Sequence, residues 1–215
     1  MPVIDWEEKI KQKRLENISK VKEEILSKWL TNKINEFCKR TSICAEDIKD
    51  RINDNDKIVT AFLAKDPNKQ NIHEKIAGDY IITIEGISEF KILPKSGKNA
   101  KILTNDGRVT FGNGVKSNKS IDFEFIYCGI HFYCSHKYTK DSGGAQDNSY
   151  NDLCNFLTST RRVVDKKVYF LAIADGNYYA NKLEIMNIEF VGSRCRAVST
   201  ENLKEFLEST FPKIK

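Results

Sequence analysis

The sequence predicts an α/β fold: a mixed central β-sheet flanked by helices, with a helical arm at the N-terminus. Three observations carry this. Apolar residues recur at helical spacing over residues 5–38. Two alternating runs, 121–127 and 130–138, lie at the centre and are joined by a short turn. A nearly unbroken apolar run, 168–174, follows a further helical stretch. Alternation marks a strand with one face buried, and an unbroken run marks a strand covered on both faces. The order helix, hairpin, helix, strand, helix is that of an α/β domain with a mixed sheet.

Taken in order, Trp6, Ile10, Ile18, Val21, Ile25, Trp29, Ile34 and Phe37 line one stripe of a helix over 5–38. After a break at 39–42, Ser42 is placed to cap a second helix, with Glu46 and Asp47 near its positive end. Asp66-Pro67 signals a turn or helix start. Residues 81–84 read as a strand. Asn105-Asp106-Gly107 is a hairpin signal inside a Gly-, Asn- and Lys-rich excursion over 95–120. The two central runs form a strand pair. A helix is expected over 145–159, a buried strand over 168–174 and a further strand over 183–191. Ser199 caps a last helix over 200–211, which Pro212 follows. With 215 residues, the chain suits one domain: an arm over 1–55 and a core over 56–215.

Hydrophobic residues make up 40% of the chain and charged residues 30%, an ordinary globular balance. No apolar run reaches the roughly 18 residues that a membrane span needs. The N-terminus lacks the charged-then-apolar layout of a secretory leader. The expected location is the cytoplasm, with no membrane partner. The net charge is +5, and it is unevenly spread. Between Phe90 and Ser120, Lys91, Lys95, Lys98, Lys101, Arg108, Lys116 and Lys119 face the single acid Asp106. Such a surplus fits a phosphate backbone. The six cysteines form no CxxC pair. Cys128, His131, Cys134 and His136 are crowded, but alternation along a strand sends His131 to the face opposite Cys134 and His136. That argues against zinc.

The chemistry-bearing pattern is Asp122, a turn, then Ser135-His136-Lys137. Antiparallel strands bring Asp122 near Ser135 and Lys137. A carboxylate beside a lysine suits phosphodiester hydrolysis. The carboxylate holds Mg²⁺, a hard cation that prefers oxygen. The lysine orients water and neutralises charge on the phosphate.

This arrangement resembles the PD-(D/E)XK nuclease superfamily and, more narrowly, type II restriction endonucleases. Three blocks carry the resemblance: Asp66-Pro67 through Glu74, Asp122-Phe123 through Asn148, and Phe170-Leu171 through Gly176. The resemblance runs over about residues 64–180. The resemblance implies a restriction-endonuclease-like core and sequence-specific, Mg²⁺-dependent cleavage of double-stranded DNA. It further implies 5′-phosphate ends and a homodimer matched to a two-fold site. Asp122, Ser135, Lys137 and Glu74 become the catalytic set, with Asp122, Glu74 and Glu124 as metal ligands. The family places an acid two residues before the lysine, where this chain has Ser135. Three explanations stay open. Glu124 or Glu74 supplies the missing ligand, one carboxylate with backbone carbonyls suffices, or Ser135 is an inactivating substitution.

The candidate DNA contacts are Lys140, Ser142, Gly143, Gly144, Gln146 and Asn148, where two glycines permit close approach and a helix start offers free N–H groups. Gln146 and Asn148 can make paired hydrogen bonds to adenine. Lys69 and Gln70 are further candidates. The alternative functions are a catalytically impaired DNA-binding relative, or a repair or junction-resolving nuclease.

Overall fold

The structure, a computed structural model, describes residues 4–112, 119–140, 144–163, 165–190 and 194–212, without the side chains of 119 and 144–146. The chain divides into two compact units, Asp5–Ile72 on one hand and Met1–Ile4 with His73–Lys215 on the other. The helical unit thus continues past residue 55, where the sequence placed the end of the arm. No helix among the described residues is long and apolar enough to cross a membrane.

The helical unit holds α1 (Trp6–Glu23), α2 (Lys28–Thr41), α3 (Ala45–Asn53), α4 (Lys57–Leu63) and a 3₁₀ turn at Pro67–Gln70. Val21, Leu30, Ile34, Ile48, Ile52 and Leu63 form its core. The single helix expected over 5–38 is two helices. Ser27 adopts extended backbone and accepts a hydrogen bond from the Leu30 amide, which starts α2 afresh. Glu24, at the end of α1, is held by Trp29 Nε1 and Lys65 Nζ. Apolar spacing resumes in phase after this corner, so periodicity alone does not reveal it. Ser42 does not cap a second helix. It ends α2 with left-handed backbone, its N–H bonded to the Cys38 carbonyl, and Cys44 stands at the cap position of α3. At the 3₁₀ turn, Asp66 caps through the Asn68 amide at 3.0 Å, with Pro67 in the first turn.

The second unit takes in α5 (Ile72–Ile81) from its second residue onward and continues through β1 (Ile87–Ile92), β2 (Lys101–Leu103), β3 (Val109–Phe111), β4 (Lys119–Ser120), β5 (Phe123–Tyr127) and β6 (Ile130–Tyr138). Then come α6 (Gly144–Thr160), β7 (Val168–Asp175), a 3₁₀ turn at Asn177–Tyr179, α7 (Leu183–Glu189), β8 (Cys195–Val198) and α8 (Thr200–Thr210). Five strands form a mixed sheet in the order β1-β5-β6-β7-β8. The first three are antiparallel neighbours, and β6, β7 and β8 run parallel. A small antiparallel sheet, β3-β2-β4, accounts for part of the Lys-rich excursion.

Two expected strands are absent. Residues 81–84 fall at the end of α5 and the turn after it, because Ile76, Ala77 and Ile81 are buried at helical spacing. Residues 183–189 form α7. Its Asn187 grips β8 at two points, donating to the Ala197 carbonyl at 2.9 Å and accepting from the Ala197 amide at 2.8 Å. That contact covers an edge strand whose backbone would otherwise be open.

The β5–β6 turn, Cys128-Gly129, has positive φ at both residues, the geometry that matches the twist of a two-residue hairpin. α6 packs on one face of the sheet through Leu153, Phe156 and Leu157, against Phe170, Ala172 and Ala174. On the other face, Phe206 and Phe211 meet the Tyr169 ring, and Gly78 of α5 lies against the Phe90 and Ile92 side chains. Gly176, just past β7, has φ +98°, and a Cβ there would run into the Thr139 carbonyl.

Candidate active site

Asp122 sits immediately before β5, between the end of β1 and the middle of β6. Its carbonyl accepts from the Leu93 amide at 2.8 Å, and its own amide donates to the Cys134 carbonyl at 2.8 Å. The residue is 4% exposed. Its Oδ2 accepts from the His136 amide at 2.8 Å and, more distantly, from Ser135 Oγ at 3.4 Å. Among the described residues nothing donates to Oδ1. Burial pushes the Asp122 carboxyl above its ordinary value. The His136 N–H and the nearby Lys137 and His136 charges work against burial, and the Glu74 carboxylate works with it. Ionised Asp122 therefore lies within electrostatic reach of both Lys137 and Glu74.

Glu74 lies in the first turn of α5. Burial opposes its ionisation most strongly, but the hydrogen bond and charge of Lys95, which donates to Oε1, outweigh burial and hold the carboxyl below its ordinary range. Neighbouring His73 stacks on Tyr138 of β6, with ring centroids 4.4 Å apart. Burial and then the His136 charge lower the His73 pKa. Lys137 is one-third exposed, and its Nζ stands 3.9 Å from Asp152 on α6. Ser135 is buried, and its hydroxyl faces Asp122. The structure thus brings Glu74, Asp122, Ser135 and Lys137 into one neighbourhood, at the end of β6 that runs toward α6.

Glu124 stands apart from this group in its bonding. It is 3% exposed, and Lys101 and Lys91 both donate to it. His131 Nε2 lies 3.3 Å from the same carboxylate. Burial raises its pKa, but the two lysines more than reverse that. Lys101 also lies over the Tyr133 ring at 5.4 Å.

Sequence reasoning missed a third buried carboxylate. Asp175, the last residue of β7, accepts from the Thr200 amide at 2.8 Å and Thr200 Oγ1 at 2.9 Å, and its Oδ2 lies 3.0 Å from His136 Nε2. This network ties β6 and β7 to the start of α8. An aspartate ending an apolar run, beside a glycine, reads in sequence as a turn residue, so no signal marked it. Lys95 and His73 were also missed as members of the neighbourhood.

Of the proposed DNA contacts, Lys140 and Asn148 are exposed. Ser142 and Gly143 lie outside the described residues, as do the side chains at Gly144 and Gln146, whose backbones are in α6. Asp147, in the same turn, accepts from Tyr178 Oη at 2.7 Å. Lys69 and Gln70 belong to the helical unit, where Lys69 is exposed and Gln70 Oε1 accepts from Asn17 at 2.6 Å.

Oxygen donors from Asp122 and Glu74 are the chemistry that Mg²⁺ prefers, and this ion commonly takes only one or two protein carboxylates and keeps several waters. Asp122 Oδ1, which accepts no hydrogen bond from the described residues, fits such a ligand. Among the described residues no three His, Cys, Asp or Glu side chains are grouped to hold a metal. Comparison with family models, curated proteins and solved structures returns no match.

Proposed function

We propose that this chain is an Mg²⁺-dependent endonuclease of the PD-(D/E)XK type that cleaves double-stranded DNA at a specific sequence as a homodimer. The observation that carries the reading is that Glu74 and Lys137 both lie within electrostatic reach of Asp122, just past the Phe123–Cys134 end of the β5–β6 pairing. Asp122 is buried, has one carboxylate oxygen without a donor among the described residues, and feels the charge of both other groups. Further support comes from the sheet: β5 is antiparallel to both β1 and β6, and β7 runs parallel to β6 after a helix, which sets the acid just before one strand and the lysine on its neighbour.

Asp122 and Glu74 are the residues that would hold Mg²⁺, which when bound supplies Lewis-acid stabilisation of charge on the phosphate and makes water a better nucleophile. Lys137 presents its ammonium to the attacking water and to a non-bridging phosphate oxygen, offsetting negative charge in the transition state. The His136 amide fixes the orientation of the Asp122 carboxylate. Water oxygen attacks phosphorus in line, the P–O3′ bond breaks, the water gives up a proton to solvent, and O3′ takes one. The products carry 5′-phosphate and 3′-hydroxyl ends.

The test is incubation of mixed-sequence duplex DNA with Mg²⁺, followed by sequencing of the ends. Ends sharing one short sequence are expected. Lys137→Ala should cut roughly 10²–10³-fold more slowly while binding the same DNA with nearly unchanged affinity. Intact cutting by that variant removes Lys137 from the chemistry.

A second reading, a DNA-binding relative with impaired cleavage, draws on Ser135, whose hydroxyl faces Asp122 at the family's acidic position. Ser135→Asp separates the two, because a gain in cleavage favours the impaired enzyme.

A further inference from the structure

We propose that Lys95 is the internal counter-ion of Glu74: its ammonium occupies the place of a cation on that carboxylate, a divalent ion displaces it, and the released ammonium then serves the phosphate of the bound nucleic acid. This deepens the nuclease reading and rests on it.

Four observations carry the inference. Lys95 comes from the loop between β1 and β2, and its side chain is 47% exposed, whereas that of Glu74 is 15% exposed. A cation reaches in from solvent to a largely buried anion, and it donates directly to Oε1. Among the described residues Glu74 is its only ionic partner, so nothing else there holds the ammonium in place. Glu74 in turn lies within electrostatic reach of Asp122. Two carboxylates in that relation repel each other when both are ionised, and a cation between or beside them relieves the repulsion.

A lysine ammonium is a compact point charge on a flexible four-carbon stem. It can neutralise one carboxylate, but it cannot coordinate two. A divalent cation can, with double the charge. Exchange of one for the other therefore costs the lysine contact and gains a shared ligand. The freed ammonium has solvent on its outer side, where a phosphodiester would lie. Competition of this kind makes the apparent affinity for the divalent ion weaker than the carboxylates alone would give.

The experiment titrates Mn²⁺ into the full chain without DNA, reading free Mn²⁺ by electron paramagnetic resonance. The proteins compared are wild type, Lys95→Met, Lys95→Arg and Glu74→Gln. Lys95→Met, which removes the charge at a half-exposed loop position, should bind Mn²⁺ about fivefold more tightly at low salt, a factor typical of a partly exposed ion pair. Lys95→Arg, which keeps the charge, should stay near wild type. In a second readout, Lys95→Met should bind duplex DNA more weakly than wild type in Ca²⁺. An unchanged or weaker Mn²⁺ affinity in Lys95→Met, with Glu74→Gln still abolishing binding, overturns the counter-ion role and leaves the nuclease reading standing. Absence of Mn²⁺ binding in both wild type and Lys95→Met, together with intact DNA after incubation with Mg²⁺, overturns both.

Discussion

Asp122 and Glu124 lie two residues apart at the start of one strand, and both are almost completely buried, at 4% and 3% exposure. Their carboxyls nonetheless move in opposite directions. Glu124 receives two lysines, and its pKa falls. Asp122 receives a backbone amide and a distant hydroxyl, with no cation in contact among the described residues, and its pKa rises. Solvent exposure is nearly the same, but Asp122 lies deeper among protein atoms, so depth raises its pKa while the two lysines lower that of Glu124. Glu124 is a satisfied anion that organises Lys91 and Lys101 around the sheet. Asp122 keeps a carboxylate oxygen that accepts no hydrogen bond from the described residues, and the proposed nuclease chemistry would use that oxygen to hold a cation. Asp175 extends the comparison: it is as buried as the others, and three donors or near donors surround it. The contrast teaches that a buried acid is a site when its neighbours leave it incomplete.

The comparison can be broken most forcefully at Asp122. Asp122→Asn should lower DNA cleavage about 10³-fold yet raise Tm at pH 7 by about 2–4 °C. A group whose folded pKa is raised contributes stability at low pH and loses it as pH rises through the folded value. The gain in the variant should therefore vanish as pH falls below 3.8, the ordinary value for Asp. A loss of stability at pH 7 would mean that Asp122 is as well satisfied as Glu124. Next, Asp175→Ala strands the Thr200 amide and His136 and should cost about 3 kcal/mol in urea unfolding. The smallest effect is expected for Glu124→Gln, about 1–2 kcal/mol, because both lysines can turn partly to solvent. The sign is opposite to that at Asp122. A depressed folded pKa contributes stability above the ordinary Glu value of 4.5 and loses it as pH falls through the folded value. The Glu124→Gln deficit should thus shrink in acid, as scanning calorimetry across pH would record.

Local pattern made much of the core of the second unit legible. The alternation of Phe123 and Phe125 against Glu124, and of Phe132 and Cys134 against Tyr133, marks β5 and β6, and their turn fixes the register that sets Asp122 opposite Ser135. The unbroken apolar run of β7 marks a strand covered on both faces. Short apolar segments were less legible. Residues 81–84 and 183–191 carry β-branched or aromatic side chains in either state, and tertiary packing chose helix for most of them. The corner at Ser27 hides because apolar spacing continues through it. At the site, Asp122 and Lys137 could be read because one stands just before β5 and the other on β6, and a two-residue turn joins those strands. Lys95 and Asp175 could not, since their partners Glu74 and Thr200 lie far away in the chain and only folding brings them together.

Gly176 bears on how a mutational screen of this protein should be interpreted. The end of β7 passes so close to Thr139 that any side chain at 176 would wedge the two strand termini apart, just beyond Lys137 on one strand and Asp175 on the other. Substitutions there would score as null in any assay of function, although the position has no reactive group to lose. A hit at residue 176 would report on the spacing of the scaffold, and only variants that accumulate as folded protein can speak to chemistry.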